Sequence, residues 1–261
     1  MEVIIRGTEE EASRLAADLI GSALVANPRL VLGLATGRTM ESLYALLAAK
    51  FEAGELDFSK ATTFNLDEYI GLPPENPNSY RTYMNRHLFN RINIPIERTH
   101  LPNGAAPDLD RECQDYEDRI EAAGGIDLQL LGIGSTGHIG FNEPLSALRS
   151  RTRCKALTPG TIAQNSPLFD NPEEMPRRAI TMGVGTILDS RRCIMLVTGE
   201  AKANILSKAV EGPITSMISA TALQLHPRCT VICDEAAAAK LENRGYYDWI
   251  FQNEPEWEPY R

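Results

Sequence analysis

The sequence predicts an α/β fold: a single domain over residues 1–261, built on a mostly parallel sheet with helices on both faces. Three observations carry this. Short apolar runs recur along the chain, and those at Arg29–Ala35 (RLVLGLA), Cys193–Thr198 (CIMLVT) and Cys229–Cys233 (CTVIC) lack polar alternation, as strands covered on both faces do. Stretches with apolar residues at helical spacing separate the runs. Residues able to do chemistry gather just after the runs, where a parallel sheet opens its ligand crevice.

Taken in order, Glu2–Arg6 reads as a short edge strand, and Thr8 with Glu11 forms a capping box ahead of Leu15, Ala16, Leu19 and Ile20. The strand at Arg29–Ala35 ends in Thr36-Gly37-Arg38-Thr39, after which Leu43, Tyr44, Leu46 and Leu47 resume helical spacing. A strand, a glycine turn and a helix start make an anion site. Thr62–Leu66 is another short strand and runs directly into Asp67-Glu68-Tyr69. Ser79 caps a helix carrying Tyr83, Met84, Leu88 and Phe89, and Asp108 opens one that ends near Gly124-Gly125. The apolar positions Ile126, Leu128, Leu130 and Leu131 mark the next strand. Ser150–Leu157 reads as extended, and Thr158–Pro176 as a long loop with one helical turn at most. Glu200–Val210 has helical spacing with Lys202 in its first turn, and an alanine-rich helix is expected from Asp234. The aromatic, acidic tail from Tyr246 to Arg261 shows no period.

No linker, internal repeat or low-complexity segment interrupts the series. A net charge of −9 without blocks of like charge excludes a nucleic-acid surface as the main role, though not the binding of a small anion. The N-terminus lacks the pattern of a secretory signal, and no apolar window is long enough to span a membrane. Five cysteines without a CxxC pair fit a reduced, cytoplasmic protein. His87, His100, His138 and His226 are scattered, so no metal site is expected.

The richest stretch is LGIGSTGHIGFNEP, Leu131–Pro144. Its glycines let backbone approach a ligand, and His138 is followed five residues later by Glu143. A carboxylate beside a histidine fixes its tautomer and raises its basicity, which suits acid/base work. Taken alone, His138 is equally well a turn residue, Asp67 a cap and Lys202 a solvated lysine. Together, Thr36–Thr39, Asp67, Gly132–Glu143 and Gly199–Lys202 would converge at the carboxyl ends of the strands. Lys202 near a helix start opposes the macrodipole, and Arg38 offers a planar fork to phosphate oxygens. No GxGxxG follows a strand and no GxxxxGK[ST] occurs, so dinucleotides and nucleoside triphosphates lose support. A phosphorylated sugar undergoing proton transfer fits the inventory.

With GLATG, NLDEYIGL, PNSY, GHIGFNEP, SRTR and DEAA in place, the chain resembles the glucosamine-6-phosphate deaminase family nearly end to end, weakening only in the tail. The resemblance implies a modified Rossmann-like three-layer fold and conversion of glucosamine 6-phosphate and water into fructose 6-phosphate and ammonia, in amino-sugar catabolism. It implies that His138 opens the sugar ring, that Glu143 orients and charge-balances it, and that Asp67 moves a proton from carbon 2 to carbon 1. It implies substrate contacts from Thr36, Gly37, Arg38, Thr39, Gly137 and Lys202, and no metal or organic cofactor. Two positions depart from the family pattern. Thr136 stands where the family has Asp or Asn at the ring-opening position, and Pro167 where an arginine reaches the phosphate. Arg38 is the expected compensation for the second. Family members of one type are hexamers activated by N-acetylglucosamine 6-phosphate. Ser146, Arg153 and Lys155 keep part of that allosteric set, so a homo-oligomer is expected. Alternative readings are a deaminase for another amino-sugar phosphate, such as the galacto epimer, or a sugar-phosphate sensor without turnover.

Overall fold

Every residue of Val31–Leu34 (β2), Leu128–Leu131 (β6), Cys193–Val197 (β9) and Cys229–Asp234 (β10) is buried in the computed structural model, which describes residues 1–261. Strands buried at successive positions are covered on both faces, as their unbroken apolar runs require. These four join β1 (Glu2–Arg6), β3 (Thr62–Asn65) and β5 (Thr99–His100) in one seven-stranded sheet, ordered β1-β10-β9-β6-β2-β3-β5. All of its pairings are parallel. The chain runs outward from β2 through β3 to β5, then returns to β6 and proceeds the other way through β9 and β10. The strand order therefore reverses between β2 and β6, the position at which open α/β sheets bind ligands.

The helices follow from their caps. Thr8 accepts from the Glu11 amide (3.1 Å) to start α1 (Glu9–Ala26). Gly37 starts α2 (Arg38–Glu52) with no side-chain cap, leaving first-turn N–H groups free for a ligand. Ser79 starts α3 (Tyr80–His87), and Asp108 starts α4 (Leu109–Ala122). Register separates the two faces. Thr63 pairs with Thr99, whose hydroxyl accepts from Arg81 of α3, whereas the next residue, Phe64, meets the edge of Tyr116 on α4. Thr99 of β5 and Phe64 of β3, one register position apart, thus touch α3 and α4 on opposite faces.

A second, three-stranded antiparallel sheet is ordered β4-β8-β7, from Asp67–Tyr69 (β4), Arg153–Ala156 (β7) and Arg178–Thr181 (β8). Nothing in the sequence announced it, because its strands are short and β7 is partly exposed rather than apolar. The chain passes from β3 through Leu66 straight into β4, so Asp67 is a strand residue and not a cap. Thr158–Pro176 holds more order than expected: α5 (Pro159–Asn165) and two 3-10 turns, Ser166–Leu168 and Pro172–Glu174. Thr158 followed by Pro159 is an N-cap signature that accounts for it. α6 (Val184–Leu188) and the single-turn link Glu200–Lys202 into α7 (Ala203–Val210) complete the second face.

Two expectations near the C-terminus are corrected. The alanine-rich helix expected from Asp234 is only the 3-10 turn Ala237–Lys240, with Asp234 accepting from the Ala237 and Gly199 amides. The tail is ordered on its own chain, as α8 (Arg244–Asn253) and the 3-10 helix Pro255–Tyr260. Its period was hidden because only Phe251 and Trp257 face inward, their rings 5.9 Å apart, while Tyr246 and Trp249 stay exposed. Trp257→Ala is expected to cost about 3–5 kcal/mol, the usual loss for deleting a buried large aromatic. Equilibrium urea unfolding measures it, and a loss below about 1 kcal/mol would mean the tail is not part of the core. No helix is long and apolar enough to cross a membrane.

Candidate active site

The carboxyl ends of β9, β6, β2 and β3 lie side by side and bring the four chemistry-bearing stretches together. Contacts between the loops establish the crevice directly. Lys202 Nζ, after β9, donates to the Ile133 carbonyl after β6 (2.7 Å). Thr39 Oγ1, after β2, lies 3.4 Å from Thr198 Oγ1 at the end of β9. Tyr83 donates to the Gly37 carbonyl (2.8 Å), so α3 closes one side. Burial holds Lys202 below the usual lysine range, which makes a charge-bearing ligand the natural partner of its ammonium. Arg38 is exposed at the first position of α2 and makes no hydrogen bond to the protein.

The histidine loop is folded on its glycines at two places. A Cβ at Gly134 would fall 2.0 Å from His138 Nε2, so the imidazole lies directly over this residue. A Cβ at Gly140, where φ is +55°, would meet Thr181 Oγ1 at 2.9 Å and Asp67 Oδ2 at 3.3 Å. Asp67 and the histidine loop therefore share one wall. His138 Nδ1 sits 2.8 Å from Thr136 Oγ1 and 3.3 Å from Glu143 Oε2, which leaves Nε2 as the free nitrogen.

The three ionisable groups are in different states. Asp67 is buried and accepts no hydrogen bond; burial first, then the neighbouring Glu68 carboxylate, push its pKa up to about 8. Glu68 stays anchored, accepting from the amides of Tyr69, Tyr80 and Arg81 at 2.9–3.0 Å, and so fixes the start of α3. Burial pushes Glu143 upward too, but the close approach of His138 and hydrogen bonds from Thr161 and Thr158 outweigh it and bring the carboxyl to about 2. Two carboxylates with pKa values driven apart in one crevice divide the work: one ionised orienter, one base that takes up a proton near neutral pH.

Several groups here escaped the sequence reading. Thr158 and Thr161 both hydrogen-bond Glu143. Asn142 is fully buried, donating to the Ile139 and Met182 carbonyls and accepting from Arg153. Tyr69, Tyr80, Phe141 and Phe169 form an aromatic wall with ring centroids 4.9–6.1 Å apart. Only Thr158, through its Thr-Pro signature, left a trace that local rules read. Ser146 lies in the loop after Glu143, and Arg153 and Lys155 lie on β7. Arg153 donates to Ser146 Oγ and to Asn142 Oδ1, both at 2.9 Å.

The family described as glucosamine-6-phosphate isomerases/6-phosphogluconolactonase matches residues 7–231. The chain is 51% identical over 250 residues to a glucosamine-6-phosphate deaminase of Hahella chejuensis, covering 96% of this chain and 95% of that one. It is 48% identical over 241 residues to one of Halothermothrix orenii, covering 92% of this chain and all of that one. A monomeric glucosamine-6-phosphate deaminase superposes with a TM-score of 0.90 at 42% identity, over 92% of this chain and the whole of that structure. The 6-phosphogluconolactonase of Trypanosoma cruzi shares the fold, with a TM-score of 0.75 at 21% identity over 92% of this chain and 97% of that one. The chain belongs to the glucosamine-6-phosphate isomerase/6-phosphogluconolactonase family.

Proposed function

We propose that this chain is a glucosamine-6-phosphate deaminase, taking glucosamine 6-phosphate and water to fructose 6-phosphate and ammonia. The observation that carries the reading is Asp67: a buried, unbonded carboxyl, raised to about 8, packed against the loop that holds the His138–Glu143 pair. A sensor would need the phosphate contacts but no such proton-transfer set. His138 takes the proton of the anomeric hydroxyl on Nε2 and delivers one to the ring oxygen, opening the pyranose. Glu143 balances the imidazolium, and Thr136 Oγ1 shares the Nδ1 proton. Asp67 then removes the proton from carbon 2 while the carbonyl oxygen at carbon 1 takes a proton from the substrate's ammonium, giving an enolamine, and Asp67 returns its proton at carbon 1. The imine so formed at carbon 2 adds water and expels ammonia, leaving the ketose. The substrate's own carbonyl and amine accept the electrons throughout.

In this reading the phosphate lies at the start of α2, held by the amides after Gly37, by Thr36, Thr39 and Lys202, and by Arg38 in place of an arginine at Pro167, with Gly137 lining the sugar. Arg38→Ala is expected to raise KM about tenfold with kcat kept within about twofold, the loss of one charge-assisted contact made equally before and during reaction. Unchanged KM would remove Arg38 from the site. Ser146, Arg153 and Lys155 are proposed as an effector site, which would require Arg153 to exchange its bonds to Ser146 and Asn142 for an anion. The homo-oligomer that the resemblance implies belongs to the same proposal. Five free cysteines accord with a reducing cytoplasm. The test of the reaction is product analysis with glucosamine 6-phosphate and its galacto epimer side by side. One ketose phosphate per ammonia from the gluco sugar supports the reading; turnover of the galacto epimer alone overturns it.

A further inference from the structure

We propose that Thr161 and Thr158, in and just before the first turn of α5, are positioning residues for the proton-transfer pair: they hold Glu143 by Oε1 so that Oε2 alone faces His138. The inference rests on the reading that His138 moves a proton. Glu143 Oε1 accepts from Thr161 Oγ1 at 2.5 Å and from the Thr158 hydroxyl and amide at 3.2 Å each. Three donors on one oxygen fix the plane of the carboxylate. Oε2 is buried and makes no well-formed hydrogen bond, with His138 Nδ1 3.3 Å away. In the resting site Nδ1 lies closer to Thr136 Oγ1, at 2.8 Å.

That asymmetry has a chemical use. A buried, ionised oxygen left short of a partner gains most when Nδ1 carries a full positive charge, the moment at which His138 has taken the substrate's proton. The contact is therefore weak before proton transfer and strengthens during it. Without the clamp on Oε1, the carboxylate could turn and satisfy both oxygens elsewhere, and the differential would be lost.

Capping alone does not explain the arrangement. Thr158 Oγ1 already accepts from the Thr161 amide (3.3 Å), which is the cap of α5; the Thr161 hydroxyl lies 3.1 Å from Thr158 Oγ1 but donates its own proton to Glu143. Thr161 is nevertheless fully buried with its hydroxyl on Glu143. The charged group facing Glu143 is His138. From α5 it meets only hydroxyls and an amide, and Arg153 on β7 is turned to Asn142 and Ser146 instead.

The test compares Thr161→Val with Thr161→Ser in the full chain. With valine the carboxylate loses a donor and becomes more basic. Glu143 is expected to titrate about one pH unit higher, with kcat about tenfold lower and KM within about twofold, while the limb of kcat/KM set by Asp67 stays in place. Serine is expected to restore both. Carbon-13 NMR titration of the Glu143 carboxyl, which needs no turnover, should show the same upward shift in the valine variant. If that variant does not fold, Thr161→Ala removes the same hydroxyl and is read identically. An unchanged kcat and an unshifted Glu143 titration in a folded variant overturn the inference. A shifted titration in a chain that releases no ammonia would instead overturn the deaminase reading and leave the clamp intact.

Discussion

Asp67→Asn is expected to lower kcat by about a thousandfold or more while making the folded chain more stable. The loss follows from removing the only group placed to take the proton from carbon 2, since a positioned general base contributes about 10²–10⁴-fold. The gain follows from linkage. An aspartate ordinarily titrates near 3.8, but burial and Glu68 raise Asp67 to about 8. Between those values the native chain keeps a proton that the unfolded chain has released. Stability therefore falls as pH rises across that window, and the native state at neutral pH carries the penalty. An uncharged asparagine removes it. A gain of about 1–2 kcal/mol at pH 7–8 is expected, or a few degrees in Tm for a chain of this size. The same group shapes the wild-type pH profile: kcat/KM should rise as Asp67 ionises, with an apparent pKa near 8 in the free protein. Calorimetry at pH 5 and pH 8 checks the linkage, because the stabilising effect should be larger at pH 8. A variant that is inactive but destabilised at both pH values would mean that Asp67 is a structural anchor.

His138→Gln is expected to cost about a thousandfold in kcat as well, but at a different step. The glutamine amide can keep a hydrogen bond to Thr136 or Glu143, whereas nothing replaces Nε2, so ring opening fails. The two variants should separate in exchange between the anomers of bound sugar phosphate, followed by NMR. The Asp67→Asn protein should still open and close the ring, and the His138→Gln protein should not. The reverse pattern would exchange the roles assigned to the two residues. Losing the imidazole also removes the partner that holds Glu143 low, so the Glu143 carboxyl should titrate above about 2 in this variant.

Which parts of this were legible in the sequence depends on the kind of signal each left. Buried parallel strands such as Val31–Leu34 and Cys193–Val197 announce themselves, because covering both faces demands an uninterrupted apolar run. The positions of Asp67, His138 and Lys202 followed, since each stands just beyond such a run. The small antiparallel sheet left no comparable mark: β7 packs one neighbour and shows its other side to solvent, so RCKA reads as a polar extended piece. Likewise Thr158 and Thr161 look like loop residues until tertiary structure places Glu143 against them, fifteen and eighteen positions away. Asp234 caps the turn that follows it, accepting the Ala237 amide, and also ties β10 to the loop after β9 through the Gly199 amide, yet only a short 3-10 turn forms. Periodicity reports the burial of a face. It is silent about side-chain bonds between segments, and much of this site is made of those.

The most direct measurement runs the reaction in D₂O with wild-type chain and Asp67→Asn, following ammonia and the hydrogen isotope at carbon 1 of the ketose. The account predicts that wild type releases ammonia, and that carbon 1 of its fructose 6-phosphate carries hydrogen from carbon 2 together with deuterium exchanged onto Asp67. It predicts neither signal from the variant. Ammonia release by Asp67→Asn at the wild-type rate would contradict the account at its centre.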